Sequence, residues 1–169
     1  IDPADTAQED SSETGIAVCG LGANAHGYLI DDVSLAASPG EWAAEAINAY
    51  LNYEADAIIA EVNNGGDLVS AVIEQAAADR GIFVPVQMVR ASRNKVTRAE
   101  PVAILYEQSR IHHLGVFAEM EDQMTTWVQG DADSPDRMDS LVWGMTALML
   151  NVEEEQIVYD DAIRVRIGW

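Results

Sequence analysis

Four carboxylates stand where a carboxylate is costly unless something neutralises it. Asp2 lies in Ile1-Asp2-Pro3-Ala4, and Glu61 closes the apolar run Ala57-Ile58-Ile59-Ala60-Glu61. Asp136 and Asp139 open the helix-like stretch Asp136-Arg137-Met138-Asp139-Ser140-Leu141-Val142-Trp143. An ionised carboxylate at the end of a buried strand needs a counter-charge. Oxygen ligands drawn from distant parts of a chain suit Mg²⁺ or Mn²⁺. Asp2, Glu61, Asp136 and Asp139 are therefore the candidate metal-ligating and catalytic residues of a metal-dependent enzyme.

Other reactive residue types offer less. Cys19 is the only cysteine, so no intrachain disulfide forms, and it reads as a small buried strand residue. One cysteine and the scattered His26, His112 and His113 argue against structural zinc. His112 and His113 are adjacent, so in a strand they face opposite ways and cannot serve one site. No Ser/His/Asp arrangement is legible.

The net charge of −20 runs against nucleic-acid binding, but its distribution is uneven. No Lys or Arg precedes Arg80. Arg80, Arg90, Arg93, Lys95, Arg98 and Arg110 then fall in a segment whose only acids are Glu100 and Glu107. A basic segment on an acidic body is a local field that can steer a polyanion. Arg90, Arg93, Lys95 and Arg98 are the candidate DNA contacts. Lys95 could instead point at the metal site, and an exposed position for Lys95 and Arg98 predicts little effect on folding when they are replaced.

The elements that must position these residues follow from pattern. At 169 residues and 49% hydrophobic content the chain suits one globular domain. Leu141 to Leu150, its longest apolar stretch, is too short for a membrane helix, and an intracellular protein is expected. Residues 5 to 14 read as a polar loop able to close over a site. Gly15–Leu21 and Ala25–Val33 around Gly22-Ala23-Asn24 read as a β-hairpin, and with the strand of Asp2 they make three consecutive antiparallel strands. Ser38-Pro39-Gly40-Glu41 is a capping box opening a helix with Trp42, Ala43, Ala46, Ile47, Tyr50 and Leu51 on one face. Ala57–Val62 is a strand and Asn63-Asn64-Gly65-Gly66 a turn. Asp67 reads as a helix cap first and an outer ligand second, and Leu68, Val69, Val72, Ile73 and Ala76 form the stripe of that helix. Val84–Val89 is a strand, residues 96 to 108 a helix, and Ile111–Phe117 an edge strand. Ser134-Pro135-Asp136 starts the last helix. Three meandering strands followed by alternating helix and strand form an α/β layout with a mixed central sheet and helices on both faces. That is the order of the ribonuclease H-like fold, in which the first strand, fourth strand and final helix bring acids together.

The words around the acids resemble a family. Ile1-Asp2-Pro3-Ala4, Glu13-Thr14-Gly15-Ile16, and Ala60-Glu61-Val62-Asn63-Asn64-Gly65-Gly66-Asp67 are similar to the nuclease domain of large terminase subunits of tailed bacteriophages. So are the run from Val89 to Val102 and that from Ser134 to Trp143. The resemblance spans residues 1 to 148, within a nuclease domain assigned to 1–150. Residues 151–169 form a C-terminal extension of open role.

The resemblance implies an endonuclease that cuts concatemeric viral DNA during genome packaging with two Mg²⁺ or Mn²⁺ ions. Asp2 would bridge both, Glu61 would hold one, and the acid heading the last helix the other. Asp136 is favoured over Asp139 as the nearer to the sheet edge. Double-stranded DNA, an ATPase motor domain, the portal and the small terminase subunit are the implied partners, in the host cytoplasm and without a membrane. No Gly-rich loop ending in Gly-Lys-Ser/Thr occurs, so the motor is expected outside this sequence, and the start is expected to cut into the first strand of an excised domain. Two alternatives stand beside this reading: a junction resolvase or other ribonuclease H-like nuclease, and a catalytically idle DNA-binding or scaffold module.

Overall fold

The computed structural model describes residues 1–2, 13–62, 66–91, 94–129, 134–150 and 157–158. Its strands are β1 (Ala17–Leu21), β2 (Gly27–Asp32), β3 (Ile58–Glu61), β4 (Val86–Val89), β5 (Ile111–His113) and β6 (Ile157–Val158). The helices are α1 (Pro39–Asn52), α2 (Gly66–Ala78), α3 (Lys95–Glu107), α4 (Ala118–Thr126) and α5 (Asp136–Met149).

Hydrogen bonding groups the strands as β1-β2-β5 and β3-β4-β6. The backbone of Ile1 and Asp2 joins the two groups. Asp2 exchanges both main-chain bonds with Gly15, at 2.9 and 3.0 Å, in antiparallel fashion. On the other side the Ile1 nitrogen donates to the Ile59 carbonyl at 2.7 Å, and the Glu61 N–H donates to the Ile1 carbonyl at 2.9 Å. That second pattern is parallel, as are β2 with β5 and β3 with β4. The sheet is mixed, with the segment carrying Asp2 at its centre.

Strand alternation then assigns the faces. Ile1, Ile16, Ile58 and Ala60 point to a core built with Trp42, Ala43, Ala46 and Ile47 of α1 and Ile73 and Ala77 of α2. Their neighbours Asp2, Gly15 and Glu61 must point the other way. There Leu29 and Ile111 pack with Val102 and Leu105 of α3, Met120 of α4, and Met138, Leu141, Val142 and Met145 of α5. Helices thus cover both faces, as expected.

Local chemistry sets the helix starts. Ser38 precedes Pro39, and the Glu41 carboxylate accepts from the Ser38 backbone N–H at 2.9 Å. The Asn94 side chain accepts from the Thr97 N–H at 2.9 Å, starting α3 one residue earlier than expected. Pro101 sits inside α3, where it removes one backbone donor without ending the helix.

Several expectations need correction. Leu51 and Leu68 are exposed, so the α1 and α2 stripes are narrower than read, and Ala49 is buried instead. The expected edge strand 111–117 stops at His113, and α4 follows where no helix was expected. Only Met120 of α4 is buried, so the helix carries almost no apolar periodicity to read. In the extension, β6 pairs antiparallel with β4. The loop expected to close over a site falls mostly in residues 3–12, outside the described residues. So do Asn63, Asn64, Gly65 and Arg93, as well as the side chain of Asp67.

Candidate metal centre

The four acids meet on the α3/α5 face of the sheet. Asp2 and Glu61 arrive from neighbouring strand positions, both side chains aimed at α5. Asp136 and Asp139 lie in the first turn of α5 and share a helix face. Pro135 precedes the helix, and acidic side chains are favoured at its positive end. All four are buried, Asp139 completely. Placing α5 this close requires Gly15: a Cβ there would lie 1.9 Å from the Asp136 carbonyl oxygen. Gly144 repeats the device, since a Cβ on it would meet the Cys19 sulfur at 2.7 Å.

Two cations from α3 stand among the acids. Lys95 and Arg98 are three residues apart on the helix, so both reach the same side. The Lys95 ammonium contacts Asp139 Oδ2 and lies 3.8 Å from both Asp2 Oδ2 and Asp136 Oδ1. Lys95 also bonds Ser134 Oγ at 2.7 Å. Arg98 donates to Asp139 Oδ1 at 3.1 Å and to Glu61 Oε1 at 3.5 Å. Its guanidinium lies 4.7 Å from the centroid of the Trp143 ring, and the Trp143 indole N–H donates to Glu61 Oε2 at 2.5 Å. Sequence reading named neither Trp143 nor Gly15 as part of the site. Both stand inside the words that carry the family resemblance, and that was their only signal.

Among the described residues four carboxylates face two cations, which leaves the cluster over-charged, and its protonation reflects this. Burial, and then the charge of Glu61, push the Asp2 carboxyl from 3.8 up to about 8, against the opposing pull of Lys95. Burial also raises Asp136, while the bond from Ser134 holds it down. For Lys95, burial alone would favour the neutral amine. Asp139, Asp2 and Asp136 outweigh it and hold the ammonium above its ordinary value.

Among the described residues no three acidic, histidine or cysteine side chains are arranged to hold a metal as they stand. Protein cations, Lys95 and Arg98, fill the middle of the cluster. The donor set nevertheless suits a hard divalent ion, because it is all carboxylate, buried and short of positive charge. Lys95, in contact with one carboxylate and near two more, marks where such a charge is favoured.

The expected DNA contacts separate. Arg90 is exposed beyond the end of β4, whereas Arg98, partly buried, lies among the acids, a different place from a phosphate-facing surface. Lys95 is 34% exposed at its side chain and turned toward the acids. Asp139 lies deeper than Asp136 and alone of the pair bonds Arg98.

The histidines fall elsewhere, and His112 and His113 do face opposite ways. His112 stacks on His26, with a nitrogen–nitrogen contact of 2.7 Å. His113 links Tyr106 of α3 at 2.7 Å to Glu121 of α4 at 2.9 Å.

Arg137, one residue from Asp136, faces away from the acid centre and contacts Glu13, Asp32 and Glu119. That network ties α5 to β2, α4 and the chain leading to Gly15. Among the described residues no helix is long and apolar enough to cross a membrane. Among curated proteins no match to the chain is found. A family model, described as the terminase RNaseH-like domain, matches residues 1–148, across all four acids and both cations. The chain belongs to the terminase RNase H-like domain family.

Proposed function

We propose that this chain is a metal-dependent endodeoxyribonuclease that cuts concatemeric viral DNA during genome packaging. Family membership supports the coarser statement, a terminase nuclease-type role in packaging. One observation carries the finer reading: four buried carboxylates from three distant chain regions converge on one small volume with too little positive charge of their own.

Asp2, Glu61, Asp139 and Asp136 would hold the divalent cations. When bound, two Mg²⁺ or Mn²⁺ ions supply Lewis acidity for activating water and stabilising the leaving oxygen of a phosphodiester. The chain's own residues do the rest. Arg98 holds Glu61 and Asp139 in fixed relation, and the Trp143 N–H orients the second Glu61 oxygen. Burial keeps the carboxylates poorly hydrated and so more responsive to an added cation. Arg90, exposed beyond the end of β4, would meet the DNA backbone, with Arg93 three residues on as a second candidate. Sequence preference should be weak, because no base-reading motif is legible. The ATPase motor, portal and small terminase subunit are the proposed partners in the packaging complex.

Plasmid cleavage tests this reading. Folded protein at low salt should nick or linearise plasmid with Mn²⁺ or Mg²⁺ and leave it intact with EDTA. Intact plasmid with both metals would favour the idle DNA-binding module.

A further inference from the structure

Lys95 is the only lysine in the chain, against eight arginines, and it stands in the acid cluster. The two cations there are held very differently. Arg98 is only 10% exposed at its side chain, bonded to Glu61 and Asp139 and lying over Trp143. Its planar fork is committed on several sides. Lys95 is 34% exposed, at the rim, and its ammonium touches both a buried acid and the exposed Ser134 hydroxyl. A lysine is a compact point charge on a flexible four-carbon stem and can change partners where an arginine fork cannot.

We propose that Lys95 is an exchangeable internal cation: it neutralises Asp2, Asp136 and Asp139 while divalent ions are absent, and swings out past Ser134 when they bind. The inference rests on the metal-site reading above. An ammonium that touches Asp139 and lies 3.8 Å from Asp2 and Asp136 stands where three carboxylates would also attract an entering cation. A divalent ion entering there brings a second positive charge to within a few ångströms of the ammonium, and their repulsion at such range is strong even in a partly solvated site. Lys95 has a way out that Arg98 lacks, because Ser134 is exposed and lies just before Pro135, which caps the α5 turn that holds Asp136 and Asp139. The metal-free domain thereby keeps its acids together without an ion, at the cost of competition with the ion it is built to take.

Binding, rather than cleavage, separates the possibilities. Mn²⁺ titration followed by electron paramagnetic resonance should find Lys95→Met binding about tenfold tighter or more than wild type, since an internal competitor has been removed. Lys95→Gln should behave alike. Arg98→Met should not tighten binding, because Arg98 organises the ligands. In wild-type protein labelled with ¹⁵N-lysine, the side-chain nitrogen gives a single signal. Mg²⁺ should move it to the position of a solvent-exposed lysine. Wild type that binds Mn²⁺, with variants that bind no tighter and a lysine signal that Mg²⁺ leaves in place, would overturn the exchange while sparing the metal site. Absence of Mn²⁺ binding in wild type and variants alike would overturn both.

Discussion

The first turn of α5 carries two charged clusters back to back, and they are built on opposite principles. On one side Arg137 is gripped by Glu13, Asp32 and Glu119, with bonds of 2.8 Å to Glu13 Oε2 and 2.7 Å to Asp32 Oδ2. Glu119 there is 75% exposed, so water shares the surplus negative charge. On the other side Asp136 and Asp139 meet Asp2 and Glu61 with every carboxylate buried, and among the described residues only Lys95 and Arg98 oppose them. A network with its charge relieved by water is a fastener. One with buried surplus charge is poised to take up a cation or a proton.

The largest effect should come from the acid side. Asp139→Asn should lower metal-dependent cleavage by at least about 10²-fold with the fold retained, and Asp136→Asn by less. The order follows depth, since Asp139 is fully buried and contacts both cations. Initial rates on plasmid, with circular dichroism as the folding control, decide it. A larger loss in Asp136→Asn reverses the order, and full activity in both removes α5 from the chemistry.

The fastener side should answer in stability instead. Arg137→Met strands Asp32 and frees the start of α5, a loss of about 3 kcal/mol, at the low end for broken buried pairs because Glu13 and Glu119 reach water. Urea denaturation measures it. A midpoint matching wild type would show that the network fastens nothing.

A smaller effect distinguishes the two sides by pH. The Asp2 carboxyl is raised in the folded protein, from 3.8 to about 8, chiefly by burial and then by Glu61. A raised carboxyl takes up a proton on folding. Its contribution is therefore complete below 3.8 and lost as pH rises toward about 8. Metal-free protein should lose this part of its stability as pH rises across that window, and Asp2→Asn should flatten the slope. Equal slopes in EDTA for wild type and Asp2→Asn would contradict the burial argument.

Much of this was legible in the sequence. Pro135 and the acids behind it marked the start of α5, the Ser38 box marked α1, and the apolar run ending at Glu61 marked a buried strand. Each signal is local, carried by residues within one turn or one strand. The helix α4 was not legible, because a single buried Met120 on an acidic segment leaves no periodicity. Lys95 and Arg98 were legible as a basic pair, and the acid site was an alternative place for Lys95, but nothing marked Arg98 as a member of the acid cluster. Charge alone does not tell a side chain which way to face.

The sequence by itself determined the order of elements, the chemistry of the acids and the family words, since these depend on residue type and short spacing. Only the tertiary structure decided which charges meet. The contacts of Lys95 with Asp2 and Asp139, of Arg98 with Glu61, and of Trp143 with Glu61 join residues from distant parts of the chain. They form because Gly15 lets α5 settle against the central strands, and because strand alternation turns Asp2 and Glu61 toward it. Packing chose the partners, and that is information no single segment holds.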